Sequence, residues 1–346
     1  MTTRVAYADT VSGTGASQPL VQVEDLARHF RLGRGHVVRA VDGVSLEIQR
    51  GETFGLVGES GSGKSTLARL ILRLDTPTSG HIRFADRDLL ASSADELRRL
   101  RRRMQVVFQD PFTSLNRRKT VEQIISLPLT VHEPQLDRAA KRARVSELLD
   151  LVGLRPEHAR AYPRQLSGGQ CQRVNIARAL ALGPEFVVLD EAVSAVDVSI
   201  QAQILNLLRD LQRQIDLTYL FVTHDLSVVR YMANTIAVMY LGRIVEIGPR
   251  DELFGDPQHP YTHALLASIP SVEHRRVHAA SNVVQEAPAG ESGMIAGCRF
   301  HPRCPLGHRD VCRTQDPQLR EIAGGHSVAC HFPQSAESLV AAAASS

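Results

Sequence analysis

Tryptophan is absent from this chain and aromatic residues make up only 5% of it, so a base-stacking nucleic-acid surface has little to be built from. Lysine is almost as scarce: Lys64, Lys119 and Lys141 are the only three, and every other cationic side chain is arginine. The net charge of +3 reflects that compositional bias before it reflects a binding surface. The runs Arg98–Arg103 and Arg138–Arg144 are spaced as solvated helix faces. No segment approaches the ~18 uninterrupted apolar residues of a membrane span. The opening stretch MTTRVAYADTVSGTGASQPL has no apolar core of a secretory signal. Its Gly, Ser and Thr content predicts a disordered tail over residues 1–19. These absences predict a soluble cytoplasmic protein whose membrane role, if it has one, comes through partners. Cysteine is sparing too, yet four of the five lie between Cys298 and Cys330.

What is present is ordinary in bulk and specific in detail. With 346 residues, 43% hydrophobic and 22% charged, the chain is long enough for one large or two modest domains with a buried core. The stretch FGLVGESGSGKST, Phe54 to Thr66, fits G-x-x-x-x-G-K-[ST], with an apolar run (Thr53–Val57) before it and a helical pattern (Thr66–Leu74) after it. Its residues are Gly58, Glu59, Ser60, Gly61, Ser62, Gly63, Lys64, Ser65 and Thr66. Glycines let the backbone curl so that successive N–H groups face phosphate oxygens, and the helix N-terminus adds partial positive charge. Lys64 brings a full charge, and the Ser65 hydroxyl can ligate Mg²⁺.

A metal-bound phosphate also needs acids. PEFVVLDEA, Pro184 to Ala192, supplies them: the apolar run Phe186–Leu189 reads as a parallel strand buried on both faces. It ends in Asp190, placed to hold Mg²⁺, and Glu191, placed to polarise an attacking water. Two acids at the end of such a strand are costly without a cation. About 120 residues separate this strand from the glycine loop, far more than one crossover needs, so an inserted subdomain is expected. Within it, YPRQLSGGQCQRVNIARALAL becomes an amphipathic helix from Gln170 onward, carried by Val174, Ile176, Ala177 and Leu180. Read alone, its S-G-G is an ordinary helix cap.

Taken together, LSGGQ, the glycine loop, LDE, VVFQD with Gln109, SAVD with Asp197 and FVTHD with His224 resemble the ATP-binding cassette (ABC) ATPases. The resemblance implies a head-to-tail dimer in which Leu166, Ser167, Gly168, Gly169 and Gln170 act on the partner's ATP. It implies Glu191 as the base for water, Gln109 as a sensor of Mg²⁺ and γ-phosphate, and His224 on the γ-phosphate. Mg²⁺ would be held by Ser65, Gln109 and Asp190, and Phe30 in LARHFRL would stack on adenine.

One glycine loop and one LSGGQ cannot close two composite sites, so a second cassette is needed. VFQDPFTSLN, DVSIQAQILNLL, DLSVVRYMANTIAVMYLGRIVE and DPQHPYTHALLASIP resemble the dipeptide/oligopeptide and nickel importers over nearly residues 20–332. SLNRRKTVEQII is more similar to the second (F-type) of their two ATPase subunits, which implies a heterodimer. The implied partners are a non-identical ATPase subunit, two transmembrane permeases and, indirectly, an extracytoplasmic solute-binding protein. The implied place is peripheral, on the cytoplasmic face of the inner membrane. The rival reading is a soluble, non-transport ABC switch acting on nucleic acid or translation machinery; the missing second cassette and the HPYT text argue against it. Departures from the family pattern are Ala192 for Pro, Val196 for Leu, Cys171 after the signature and Arg117 for Pro.

A reducing cytoplasm makes disulfides rare. The spacing C-x5-C-x7-C-x17-C of Cys298, Cys304, Cys312 and Cys330 lacks the C-x-x-C knuckles of structural zinc sites, yet four thiolates suit zinc or an iron–sulfur cluster. Arg299, Arg303 and Arg309 would offset their charge, and His301, His308, His326 and His331 are spare ligands. The resemblance favours [4Fe–4S], which some peptide importers hold in this extension. Cys171 reads as inert core. The expected fold is α/β: a RecA-like P-loop core, an antiparallel β flank from 20–50 and 75–90, and a helical insert over about 95–180. The nucleotide-binding domain spans 20–264, a small Cys-rich extension 265–335, and a disordered tail 336–346.

Overall fold

The computed structural model describes residues 18–32, 36–194, 196–268, 296–305 and 310–333. The tails expected at 1–19 and 336–346 lie outside the described residues apart from 18 and 19. Two long antiparallel strands come first among the described residues, β1 (Val21–Leu32) and β2 (His36–Ile48), with Val23, Leu26, Val41, Val44 and Ile48 turned into the core. β3 (Thr53–Val57), buried at every position, runs into the glycine loop and α1 (Lys64–Ile71). The chain then returns to the first sheet through β4 (Ser79–Phe84) and β5 (Arg87–Asp88), in the order β2-β1-β4-β5. Gly80 is required at that return. Its φ is +93°, and a Cβ there would meet the backbone of Asp25 and Leu26 at about 2.5 Å.

The second sheet is built on β3. After α2 (Ala94–Arg103), strands β6 (Met104–Val107), β7 (Phe186–Asp190), β8 (Thr218–Thr223) and β9 (Thr235–Tyr240) lie parallel with it in the order β9-β3-β8-β7-β6. β10 (Arg243–Pro249) adds antiparallel to β9. Continuous apolar strands need cover on both faces. Phe54, Phe186, Val188 and Val222 pack towards α1 and the first sheet. Val187, Leu189, Tyr219 and Phe221 pack towards the helical side, which is built from α3 (Pro111–Ser114), α4 (Val121–His132), α5 (Arg138–Leu151), α6 (Gly168–Leu180) and α7 (Val198–Ile215).

Three expectations need correction. The insert expected over 95–180 contains β6, a core strand in register with β7 from Met104↔Phe186 to Val107↔Leu189, so the helical part begins after it. Four residues directly after an arginine run carry too little periodicity to announce a strand. Of the arginines of α2 only Arg98 and Arg99 are exposed as a solvated face: Arg102 pairs with Glu133 at 2.6 Å, Arg103 with Glu185 at 2.5 and 2.8 Å, and Arg101 donates to the Arg73 carbonyl at 2.6 Å. Finally, the cysteine extension is not a separate unit beginning at 265. α8 (Leu226–Met232) and α9 (Arg250–Gly255) lead to α10 (Pro260–Ala267), which straddles that boundary. The hairpin β11 (Arg320–Ala323)–β12 (His326–Val328) pairs on β10 and lengthens the core sheet. Phe300 is buried with Tyr240 and Tyr261.

Candidate nucleotide site

The five parallel strands end on one side of the sheet, and the loops leaving four of them (β3, β6, β7 and β8) carry the predicted chemistry. From β3 comes the glycine loop. Gly58 (φ +151°) and Gly63 (φ +107°) lie where a Cβ would strike the carbonyl oxygens of Met239 and Ala40. Ser62 and Lys64 are buried, and Gly63 caps α1 without a side chain, so the loop presents backbone N–H groups at a helix N-terminus. Lys64 Nζ donates to the carbonyls of Gly58 (2.7 Å) and Glu59 (2.8 Å), drawing the loop into an arch. Burial lowers the Lys64 pKa, opposed by the charges of Glu191, Asp190 and Glu59.

From β7 come both acids. Ser65 Oγ donates to Asp190 Oδ1 at 2.9 Å, bringing together two oxygen ligands of the kind Mg²⁺ takes. Burial raises the Asp190 pKa against the Ser65 hydrogen bond, with Glu191 adding to the rise. A buried acid beside a second acid is a place for a cation, so the residues fit Mg²⁺. Glu191 follows in the left-handed region (φ +50°), its N–H on Val222 O at 2.8 Å. Strain of this kind at a strand end is a mark of functional positions. The loop after β6 brings Gln109, whose Nε2 donates to Glu191 Oε2 at 2.6 Å; the loop after β8 brings His224, Nδ1 3.2 Å from Glu191 Oε1. Glu191 is therefore held from two sides by side chains 82 and 33 positions away.

The other predicted residues fall around this centre. Ser167 caps α6 in a reciprocal box with Gln170, Ser167 Oγ accepting from Gln170 N (3.2 Å) and Gln170 Oε1 from Ser167 N (2.9 Å). Leu166 is buried, and Gly168 and Gly169 face Phe112, Val196 and Ile200 of the same chain. Among the described residues no hydrogen bond joins 166–170 to 58–66. Asp197 is an exposed N-cap of α7 that makes no side-chain capping bond. Phe30 is half-buried on β1 with the Arg28 guanidinium 4.5 Å from its ring centre. Its strand partner Val38 lies two residues from Ala40, against which Gly63 packs.

Two residues that matter were not singled out from the sequence. Gln172 and Asn175, both fully buried on α6, link the signature helix to the catalytic loops. Gln172 Nε2 donates to the carbonyl of Ala192, next to Glu191, at 2.5 Å. Asn175 Oδ1 accepts from Ser114 Oγ at 3.0 Å. The available signal was two amides on the otherwise apolar side of an amphipathic helix.

Cys298, Cys304, Cys312 and Cys330 line one cavity together with Phe300, Phe332 and three histidines, His259, His301 and His331. Burial raises the Cys298 thiol, and pushes Cys330 up to about 12. Such thiols ionise only beside a cation. Among the described residues no three or more His, Cys, Asp or Glu are arranged to hold a single metal ion. His326 is not among the lining residues, and His308 and Arg309 lie outside the described residues. Cys171 is buried core, its thiol pushed up to about 11 by burial. Among the described residues no helix is long and apolar enough to cross a membrane.

With this geometry in view, the comparisons agree. Residues 41–194 match the family described as ABC transporter, and 245–312 the oligopeptide/dipeptide transporter C-terminal region. The chain is 49% identical over 321 residues to the probable peptide ABC transporter ATP-binding protein y4tS of Sinorhizobium fredii, covering 91% of this chain and 90% of that protein. It is 45% identical over 329 residues to the oligopeptide transport ATP-binding protein AppF of Bacillus subtilis (92% and 99%). Among solved structures, the post-hydrolysis dimer of the ATP-binding cassette MJ0796 bound to ADP and Pi superposes with TM-score 0.61 at 32% identity, over 66% of this chain and 98% of that one. The cbiO1 protein of Clostridium perfringens does so with TM-score 0.63 at 27% identity (77% and 100%).

Proposed function

Because the chain belongs to the ABC transporter ATPase family, in its oligopeptide/dipeptide branch, we propose that it binds and hydrolyses ATP to energise import of di- or oligopeptides. The observation that carries this is the convergence of Lys64, the Ser65–Asp190 pair and the doubly held Glu191 on four strand ends. The loop N–H groups and Lys64 bind the phosphates. Ser65 and Asp190, with Gln109, would hold Mg²⁺, which supplies charge neutralisation at the phosphates. Glu191 takes the proton of the attacking water as its oxygen bonds to the γ-phosphorus and the bond to the β-phosphate oxygen breaks. Gln109 and His224 aim the carboxylate, and Phe30 stacks on adenine. Leu166–Gln170 and Asp197 serve a partner's nucleotide, a reading supported by the absence, among the described residues, of any hydrogen bond from the signature to its own P-loop.

The partners proposed are a second, non-identical cassette, two permeases and an extracytoplasmic binding protein, with this chain peripheral on the cytoplasmic side of the inner membrane. The C-terminal region disfavours the rival, a soluble switch on nucleic acid. The chain alone should hydrolyse ATP slowly and gain activity with that second cassette and the permeases in vesicles. Activity strictly proportional to concentration at high dilution of the lone chain would contradict this.

We also propose that Cys298, Cys304, Cys312 and Cys330 hold a [4Fe–4S] cluster whose role is structural, since the segment around it is short and poor in large apolar residues. Protein purified without oxygen should be brown, with about four irons and four sulfides per chain. Colourless protein carrying one zinc instead would refute the assignment.

A further inference from the structure

Two arginines next to cysteines tie the segment Cys298–Cys304 to the nucleotide loop, one directly and one through a neighbouring loop. Arg303, beside Cys304, grips the Glu59 carboxylate with both terminal nitrogens, at 2.9 and 3.0 Å. Glu59 is the second residue of the glycine loop, and its backbone N–H donates to the Tyr261 hydroxyl at 2.9 Å. Tyr261 is fully buried against Phe300, 5.5 Å between ring centres, and Phe300 belongs to the same cysteine segment. On the other shoulder, Arg299 donates to the carbonyl of Leu241 and to Asp42. The neighbouring Gly242 N–H donates to Ser62 O at 2.8 Å, inside the glycine loop. Glu59 and Ser62 thus flank the arch that Lys64 closes, and both are tied to the cysteine segment.

The bidentate contact is the most directional of these ties. An arginine fork fixes both oxygens of a carboxylate and so fixes the side chain's plane as well as its place. Arg303 is only 13% exposed whereas Glu59 is 44% exposed, so the guanidinium is fixed by its surroundings while the carboxylate meets solvent on its other side. It touches neither Glu191 nor the side chains that hold it. What it can set is the shape of the loop that receives phosphates.

We propose that Arg303 is a positioning residue for the P-loop of its own chain: acting through Glu59, it makes ATP affinity depend on the cysteine segment being in place. The inference rests on the reading of Gly58–Thr66 as the ATP site. An ordered arch pays its conformational cost before nucleotide arrives, whereas a loosened one pays it on binding. The effect therefore belongs to affinity and KM, with turnover at saturating ATP preserved.

The test uses the full chain assembled with its partner cassette and permeases, with a fluorescent ATP analogue for affinity and steady-state kinetics for the KM-against-kcat split. Arg303→Ala should weaken nucleotide binding about tenfold, as loss of a charge-assisted pair implies, with kcat within twofold of the parent. Iron content and melting temperature are followed in parallel, so that a collapsed cysteine segment is recognised. Arg303→Lys, which keeps the charge and loses the fork, should recover only part of the affinity. Glu59→Gln alone should be about as weak as Arg303→Ala, and the double variant no weaker than either. If Glu59→Gln instead restores affinity in the Arg303→Ala background, Arg303 only neutralises a carboxylate near the phosphates, and positioning is wrong. Unchanged affinity in Arg303→Ala overturns the proposal too. Lys64→Ala is the separate control: should it bind nucleotide like the parent, the ATP-site reading fails, not the role of Arg303.

Discussion

Two glutamates of the same sheet show how one side chain serves two ends. Glu191 stands just past the end of β7, its side chain 16% exposed, and both its partners are side chains from other loops. Glu246 lies within β10 and is completely buried. Its Oε1 accepts from His326 Nε2 and from Gln258 N, both at 2.7 Å, and its Oε2 from His259 N at 2.9 Å. Burial pushes the Glu246 pKa up, but the hydrogen bonds from His326 and from the two backbone N–H groups bring it below the ordinary value. Backbone donors cannot swing away, so Glu246 holds a permanent charge that ties β10 to α10 and β12. Glu191 is held only by groups that can re-aim, which is what a base that must meet a water requires.

The same isosteric change at both positions separates the two roles. Glu191→Gln should cost about 10²–10⁴-fold in turnover while ATP binding is kept, because proton acceptance is lost and the phosphate contacts remain. Its stability should stay within about 0.5 kcal/mol of the parent. Phosphate release near the parent rate in the reconstituted transporter would remove Glu191 as the base. Glu246→Gln should do the reverse. Removing one charge of a buried pair costs about 3–5 kcal/mol, and an amide NH₂ would face a backbone donor it cannot satisfy. Denaturant midpoints should drop sharply, while the molecules that remain folded turn over ATP at the parent rate. A variant as stable as the parent would show that Glu246 is not the anchor its burial implies.

The two glutamates also differ in how they could be read in advance. Glu191 was legible because its neighbours in sequence carry the signal: an apolar strand, an adjacent acid and a buried run with no polar break. The same holds for the glycine loop and for Ser167, whose capping partner is three residues away. Glu246 sits in RIVEIGP, where alternation suggests an outward, solvated position. The start of α10 and, eighty residues later, β12 cover it, and nothing local announces that hairpin. β6 was hidden for the same reason, since a strand that short owes its existence to β7 beside it. The contact of Arg303 with Glu59 spans 244 positions and has no local signature. Sequence shows the groups that act and the short-range frame around them, and conceals the long-range polar ties that fix that frame.

The smallest expected effect is the pH response of the histidines around Glu246. His259 is 1% exposed, and its Nδ1 accepts the N–H of Tyr261 at 3.0 Å, capping α10. Burial lowers its pKa from 6.5 to about 4, against the pull of Glu246 and with the push of His263. The folded chain therefore keeps His259 neutral where the unfolded chain takes up a proton. Stability from this site is whole above pH 6.5 and falls as pH drops towards 4, by about 3 kcal/mol if the full shift is expressed. His326 runs the other way. Its hydrogen bond to Glu246 raises its pKa above 6.5, so its contribution is whole below that value and is lost as pH rises through the folded pKa. The lowered Glu246 carboxyl adds to the acid limb, its share present above 4.5 and lost below. Denaturant midpoints measured from pH 5 to 8 should peak near neutrality. His259→Asn, whose side-chain oxygen can still accept from Tyr261, should flatten the acid limb and leave the alkaline one. His326→Gln should do the opposite. If His259→Asn and the parent lose stability equally between pH 6.5 and 5, burial of a neutral His259 is not the source of the acid limb.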